Sequence, residues 1–174
     1  MEDKSKAFKE DLKEWIKTFV SAFAIFLVIN IFIVNVRVQG MSMAPNYYPN
    51  DFLIVYKLAY KSAEPSYGDV IVFEATNLQE KNLIKRVVGI AGDKIEVANG
   101  RVYRNGMLLT EDYIKDGITN GDLSITVGEG EIFVMGDNRL NSLDSRFPEV
   151  GLVNKEDVVG KVLARVFPSP QIIK

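Results

Sequence analysis

The chain has 174 residues, 47% of them hydrophobic and 25% charged, with a formal net charge of −2. That is enough for one packed domain plus a short extra segment, too apolar for disorder, and, without a long basic run, a poor match to a nucleic-acid surface. There is no Cys and no His, which removes disulfide frameworks, thiol nucleophiles, Cys- or His-ligated zinc, proximal-His haem and any Ser-His-Asp triad, so a hydrolase built on this chain works with Ser, Thr, Lys, Tyr or carboxylates.

From Thr18 to Val36 no residue is charged (TFVSAFAIFLVINIFIVNV). As a helix this run would span roughly 28 Å, close to the ~30 Å hydrocarbon core of a bilayer. Trp15 and Lys17 before it and Arg37 after it suit the two interfaces. Lys4, Lys6, Lys9, Lys13 and Lys17 precede the run, whereas only Arg37 follows it before Lys57. The positive-inside rule then predicts a cytoplasmic segment over 1–17, a transmembrane anchor over 18–36 and an extracytoplasmic part over 37–174. Val38, Gln39 and Gly40 would pass as a small-residue cleavage site. The apolar run is longer than a signal-peptide core of about 7–15 residues and lies behind a long mixed-charge segment, so it reads as a permanent anchor.

No later run reaches spanning length, and the pattern beyond the anchor is β. Strands are expected over 52–56, 69–73, 83–90, 94–97, 101–103, 131–135 and 158–166. Asn99-Gly100 and Asn105-Gly106 are tight-turn signals, so 94–109 reads as a meander. No βαβ alternation is present. The predicted fold class is mostly β: an antiparallel β-sheet domain on one N-terminal transmembrane helix.

Three stretches carry candidate chemistry. In Gly40-Met41-Ser42-Met43-Ala44-Pro45, Ser42 lies where neither regular helix nor central strand can form. Taken alone it is either a turn serine or a nucleophile, and a nucleophile needs a base that no His can supply here. In Leu83-Ile84-Lys85-Arg86-Val87-Val88, strand alternation sends Lys85 and Arg86 to opposite faces, each among apolar neighbours. Arg stays protonated, but a desolvated Lys loses its proton, so Lys85 is the candidate base unless its stem simply carries the amine to solvent. The polar stretch 136–146 (GDNRLNSLDSR) follows an apolar strand; Asp144 and Arg146 could pair there, and Ser142 could orient an amine. Met41, Met43, Tyr47 and Tyr48 around Ser42 suggest an apolar surface for a bilayer interface.

The blocks GMSMAP (40–45), YGDVIVF (67–73), KRVVGIAGD (85–93) and GDNRLNSLDSR (136–146), in this order behind an N-terminal span, resemble type I signal peptidases, the Ser/Lys leader peptidases of bacteria. The single anchor and the short segment between the third and fourth blocks look like the compact Gram-positive form. The resemblance implies a membrane-anchored serine endopeptidase that cuts signal peptides from exported pre-proteins after Ala-X-Ala-type small residues, with no cofactor and no metal. It implies Ser42 as nucleophile, Lys85 as general base and Ser142 as the hydroxyl that hydrogen-bonds the lysine amine. Asp144 and Arg146 match a supporting ion pair, and Gly136 and Asp137 a structural turn. The substrate is expected to lie extended against Val36, Val38 and Gly40 on one side and Leu83 and Ile84 on the other. Gly40 stands where many Gram-negative members have a serine, and Ala44-Pro45-Asn46-Tyr47 departs from the usual sequence after the nucleophile. The alternative is a catalytically inactive anchored β domain acting as a binding module, which has no use for an amine facing a serine. The related self-cleaving repressors are disfavoured by the span and the lack of a DNA-binding helical module.

Overall fold

In a computed structural model of the protein, the described residues are 2–75, 78, 82–114 and 117–173, with side chains described from residue 11 onward. The side chains of Lys4, Lys6 and Lys9, counted above for orientation, therefore lie outside the described residues. The chain forms two compact units, Met1–Ile33 and Val34–Lys174.

The first unit is one helix, α1 (Glu2–Phe32). Its Asp11–Phe32 part has 22 residues, with an 18-residue window of mean hydropathy 2.0, and is long and apolar enough to cross a membrane. Two polar side chains within it turn back to the helix: Thr18 Oγ1 donates to the Glu14 carbonyl at 2.9 Å and Asn30 Nδ2 to the Phe26 carbonyl at 2.7 Å. These bonds satisfy donors that lipid would leave unpaired. The apolar run does not stay helical to Val36 as the sequence suggested. The helix stops at Phe32, and Ile33–Arg37 is extended as β1. Ile33, Val34 and Val36 are β-branched and pass readily into a strand once another strand pairs with them.

The second unit is built from β1, β2 (Phe52–Tyr56), β3 (Val70–Glu74), β4 (Asn82–Ile90), β5 (Lys94–Ala98), β6 (Arg101–Arg104), β7 (Met107–Leu108), β8 (Leu123–Thr126), β9 (Glu131–Met135), β10 (Val153–Asn154), β11 (Val158–Phe167) and β12 (Gln171–Ile172). A large sheet runs β1-β2-β11-β3-β4-β9-β10, with β12 added on β11, and a smaller one runs β7-β6-β5-β8. The seven strands expected from alternation all form, each end within one residue of its expected position. The two-residue strands β7, β10 and β12 carry too little alternation to be foreseen, and β8 (Leu-Ser-Ile-Thr) alternates over four residues only. Asn99 and Gly100 (φ 53° and 77°) and Asn105 and Gly106 (φ 53° and 78°) all take the left-handed conformation. A two-residue hairpin turn of matching twist requires that conformation at both positions.

β4 organises the interior. It pairs with β3 along Asn82–Arg86 and with β9 from Arg86 onward, so among the described residues 82–85 have a sheet partner on the β3 side only. One core cluster (Ile71, Phe73, Leu83, Val87, Ile132, Val134, Val153) lies on the face that Lys85 shares with Leu83 and Val87. A second cluster gathers Val38, Met43, Tyr47, Leu53, Val55, Val70, Val72 and Val162. β9 ends at Met135 and delivers the chain into the polar stretch 136–146 beside β4.

Two consequences are measurable. At the β11 bulge, a Cβ on Gly160 would lie 2.4 Å from the Tyr56 carbonyl oxygen and 2.8 Å from its carbon, both main-chain atoms of a paired strand. Gly160→Ala should therefore destabilise by about 1–3 kcal/mol in denaturant unfolding. Because the helix stops at Phe32, removing residues 2–32 should leave a cooperatively unfolding β domain. Removal through Arg37 should lower its denaturation midpoint, since β1 is then lost from the sheet; equal midpoints for the two truncations would show that β1 adds nothing.

Candidate active site

Ser42 begins a tight loop held at both ends. The Val38 N–H donates to the Asp51 carbonyl at 2.9 Å and the Asn50 N–H to the Val38 carbonyl at 2.8 Å, closing the loop at its base. The Met43 carbonyl accepts from the N–H groups of Asn46 and Tyr47. Met43 and Tyr47 drive their side chains into the core, at 0% and 2% exposure, which leaves Ser42 half-buried just before the anchored turn. Burial, ahead of the surrounding charges, pushes the Tyr47 hydroxyl up to about 12. The expected apolar surface is accordingly smaller than its four residues: Met43 and Tyr47 are core, and only Met41 and Tyr48 are exposed.

Lys85 is only 2% exposed, among the most fully buried large side chains of the protein. It sits on β4 opposite Ile71 and on the apolar face. Its Nζ donates to Ser42 Oγ at 2.8 Å and to the Ile84 carbonyl at 3.0 Å. The alternative of an amine carried to solvent is thereby removed. Arg86, one residue on, faces the other way. Its Nε and Nη2 form a two-point pair with Asp137 at 2.8 and 2.7 Å, and its guanidinium lies 4.3 Å from the centre of the Tyr113 ring. Burial opposes the Arg86 charge, but the hydrogen bonds and charge of Asp137 more than offset this and raise its pKa.

The stretch 136–146 closes the site from a third direction. The Asn138 N–H donates to the Ser42 carbonyl at 2.9 Å, and Asn138 Nδ2 to the Met41 carbonyl at 3.1 Å. Asp144 is fully buried: its Oδ2 accepts from the Gly136 N–H at 2.9 Å and from Ser142 Oγ at 2.7 Å, and Arg146 grips both its oxygens at 2.8 and 2.9 Å. With its proton committed to Asp144, the Ser142 hydroxyl keeps its oxygen lone pairs as acceptors. Gly136 lies between the Ser42 carbonyl and the Ser142 hydroxyl, so close that a Cβ there would meet the two at 2.5 and 2.2 Å.

Ser42, Lys85, Gly136, Asp137, Ser142, Asp144 and Arg146 thus fall into one connected cluster. Asp137 does more than shape a turn, because it carries the ion pair with Arg86 and also accepts from Asn46 Nδ2 at 2.8 Å. The five expected substrate-side residues divide. Val38 and Leu83 are buried, Val36 and Ile84 pack partly buried against the core, and only Gly40 is exposed, with open space where a Cβ would point. Arg86, Asn46, Asn138, Arg139 and Glu111 were not anticipated. Arg86, a cation within an apolar strand, and Asn138 and Arg139, inside the polar stretch 136–146, had a signal. Among the described residues no group of His, Cys, Asp or Glu is arranged to hold a metal ion.

The profile of the family described as "Signal peptidase, peptidase S26" matches residues 12–167. The "Probable signal peptidase I-2" of Synechocystis sp. is 35% identical over 162 residues, 90% of this chain and 73% of its own. The "Signal peptidase I P" of Bacillus subtilis subsp. natto is 34% identical over 183 residues, 99% of this chain and 98% of its own. A crystal structure of a signal peptidase I from Enterococcus faecalis matches 57% of this chain and 97% of its own at 31% identity, with a TM-score of 0.49.

Gly136→Ala tests the cluster directly. Since the Ser42 carbonyl is main chain and itself hydrogen-bonded, the added methyl should displace the Ser42 loop or the Ser142 hydroxyl. Peptide hydrolysis should fall on the order of 100-fold, the usual cost of an ångström-scale misplacement. Gly128→Ala is the control, because a Cβ there meets only the flexible Glu131 side chain. Equal activity of the two variants would show that the packing at Gly136 is dispensable.

Proposed function

The chain belongs to the signal peptidase family, peptidase S26, and from that premise we propose that it removes signal peptides with Ser42 as nucleophile and Lys85 as general base. The observation that carries this reading is the 2.8 Å contact between Ser42 Oγ and the Nζ of a lysine that is 2% exposed. An amine held so among apolar side chains favours its neutral form, and a neutral amine at hydrogen-bond distance can accept the hydroxyl proton.

In the proposed reaction Lys85 Nζ takes the Ser42 proton as Oγ bonds to the scissile carbonyl carbon. The resulting ammonium then protonates the leaving amine as the C–N bond breaks, leaving an acyl ester on Ser42. Water attacks the ester while Lys85 takes its proton, and the proton returns to Ser42 Oγ as the acid leaves. The Ser42 N–H is the proposed donor to the oxyanion, because Gly40 has no side chain to add one. Ser142, oriented by Asp144 and Arg146, holds the amine of Lys85 in line.

The substrate is proposed to lie extended between residues 36–40 and the start of β4. The one-sided pairing of residues 82–85 supports this, since an added strand has main-chain groups to meet there. Val36, Val38, Leu83 and Ile84 direct their side chains towards the core, so they would meet substrate mainly through the main chain and a shallow floor. A shallow floor suits the small residues of an Ala-X-Ala cut. The anchor over 11–32 and the N-terminal lysines support a cytoplasmic N-terminus and a catalytic domain on the extracytoplasmic side, where exposed Met41 and Tyr48 suit contact with lipid.

Incubation with a secreted pre-protein in detergent tests the reading. Ser42→Ala, Lys85→Ala and Lys85→Arg should each reduce processing at least about a thousandfold, and the double alanine variant should be no worse than either single one. Lys85→Arg keeps the charge but cannot give up a proton, so substantial activity in that variant would exclude Lys85 as the base. The base works only when unprotonated. Activity should therefore rise with pH and be small near pH 5, and a maximum below about pH 6 would point to a carboxylate instead.

A further inference from the structure

We infer that Glu111, on the segment between β7 and β8, is a positioning residue for the Ser42–Lys85 site and acts through Arg139. The inference rests on the dyad reading above and adds a part of the chain that the reading does not use.

The segment is fastened at both ends to the small sheet: the Leu109 N–H donates to the Val102 carbonyl at 2.9 Å and the Thr119 N–H to the Gly100 carbonyl at 2.8 Å. Described residues of the segment and of that sheet, among them Val102, Leu108, Glu111 and Thr119, line a cavity of about 380 Å³. The segment's described residues also make polar contacts with the catalytic stretch. Glu111 Oε2 accepts from Arg139 Nη1 at 2.7 Å, Thr119 Oγ1 accepts from the same nitrogen at 2.8 Å, and Glu111 Oε1 accepts from Arg139 Nη2 and from the Tyr113 hydroxyl. The Tyr113 carbonyl accepts from Asn46 Nδ2 at 2.7 Å, reaching the Ser42 loop itself.

Arg139 then passes the constraint on by two routes. Its Nε donates to the Gly136 carbonyl at 3.1 Å, at the residue wedged between Ser42 and Ser142. Its own carbonyl accepts from Arg146 Nη2 at 2.9 Å, and Arg146 holds Asp144, which holds Ser142. The Arg139 and Glu111 side chains are 2% and 6% exposed. A guanidinium so buried cannot keep its place without its carboxylate, because the uncompensated charge would seek water and draw the 136–146 stretch with it.

The test is steady-state hydrolysis of a signal-peptide substrate by the full chain in detergent. Glu111→Ala should lower kcat roughly 10–100-fold, the usual range for a partner of a site residue, with KM changed no more than about twofold. Glu111→Gln, which keeps the shape and an acceptor, should fall between Glu111→Ala and the parent. Val127→Ala, a cavity in the small-sheet core cluster at a residue that makes none of these contacts, supplies a destabilised control whose kcat should stay at the parent value. Parent-like kcat in Glu111→Ala, or an equal kcat loss in Val127→Ala, would overturn the inference. Ser42→Ala and Lys85→Ala are run alongside. Activity in either would overturn the dyad and this inference with it, whereas inactive dyad variants beside fully active Glu111 variants would overturn this inference alone.

Discussion

The Ser42 carbonyl, donated to by the Asn138 N–H and packed against a glycine that leaves no room for a side chain, joins two loops far apart in the chain. The placement of Ser42 against Lys85 depends on that junction. The loop bearing Ser42 is tied by Met43 and Tyr47 to one core cluster, whereas Lys85 stands on a strand facing another. A hydroxyl and an amine carried by separate packed bodies stay at 2.8 Å only if something registers those bodies against each other. The close approach at Gly136 does so. Its lack of a side chain lets the main chains meet, and the hydrogen bond sets the direction of the meeting.

Around this junction the charges are sorted. Arg86–Asp137, Arg146–Asp144 and Arg139–Glu111 are all nearly or fully buried, and each binds the 136–146 stretch to itself or to another element. Buried pairs of this kind add little net stability over apolar packing, but loss of either partner leaves the other charged in a dry place. Their contribution is therefore to geometry: they permit one arrangement of the stretch and penalise others. Lys85 and Arg86 show how finely this is divided. Neighbours on one strand, they face opposite sides, one a hydroxyl and apolar walls, the other a carboxylate and a tyrosine ring.

The junction of anchor and domain obeys a simpler constraint. A membrane helix must satisfy its own backbone, and Thr18 and Asn30 do this even for their side chains. Past Phe32 the chain pairs as β1, and backbone satisfaction passes from within the helix to between strands. The hydrophobic run continues through the change because both environments accept Ile and Val.

Composition by itself excluded every His- or Cys-based mechanism, and uncharged length by itself disclosed a spanning helix, because both are properties of residue type that no fold can alter. Strand alternation and the two Asn-Gly turns likewise located most of the large and small sheets, since they rest on contacts within a few residues. Tertiary structure decided the rest. Alternation put Lys85 and Arg86 on opposite faces but was blind to which face held a serine. It also left Met43 and Tyr47 looking like surface, although the loop turns them into the core. The end of the helix at Phe32 was hidden because the next residues are equally apolar, and only strand pairing distinguishes them. Arg139 lies in the polar stretch 136–146, but nothing local pairs it with Glu111, which carries no signal of its own. Their meaning comes from being 28 positions apart in sequence and within hydrogen-bond distance in space, and a separation of that kind is set by how the sheets pack and by nothing in either residue's neighbourhood along the chain.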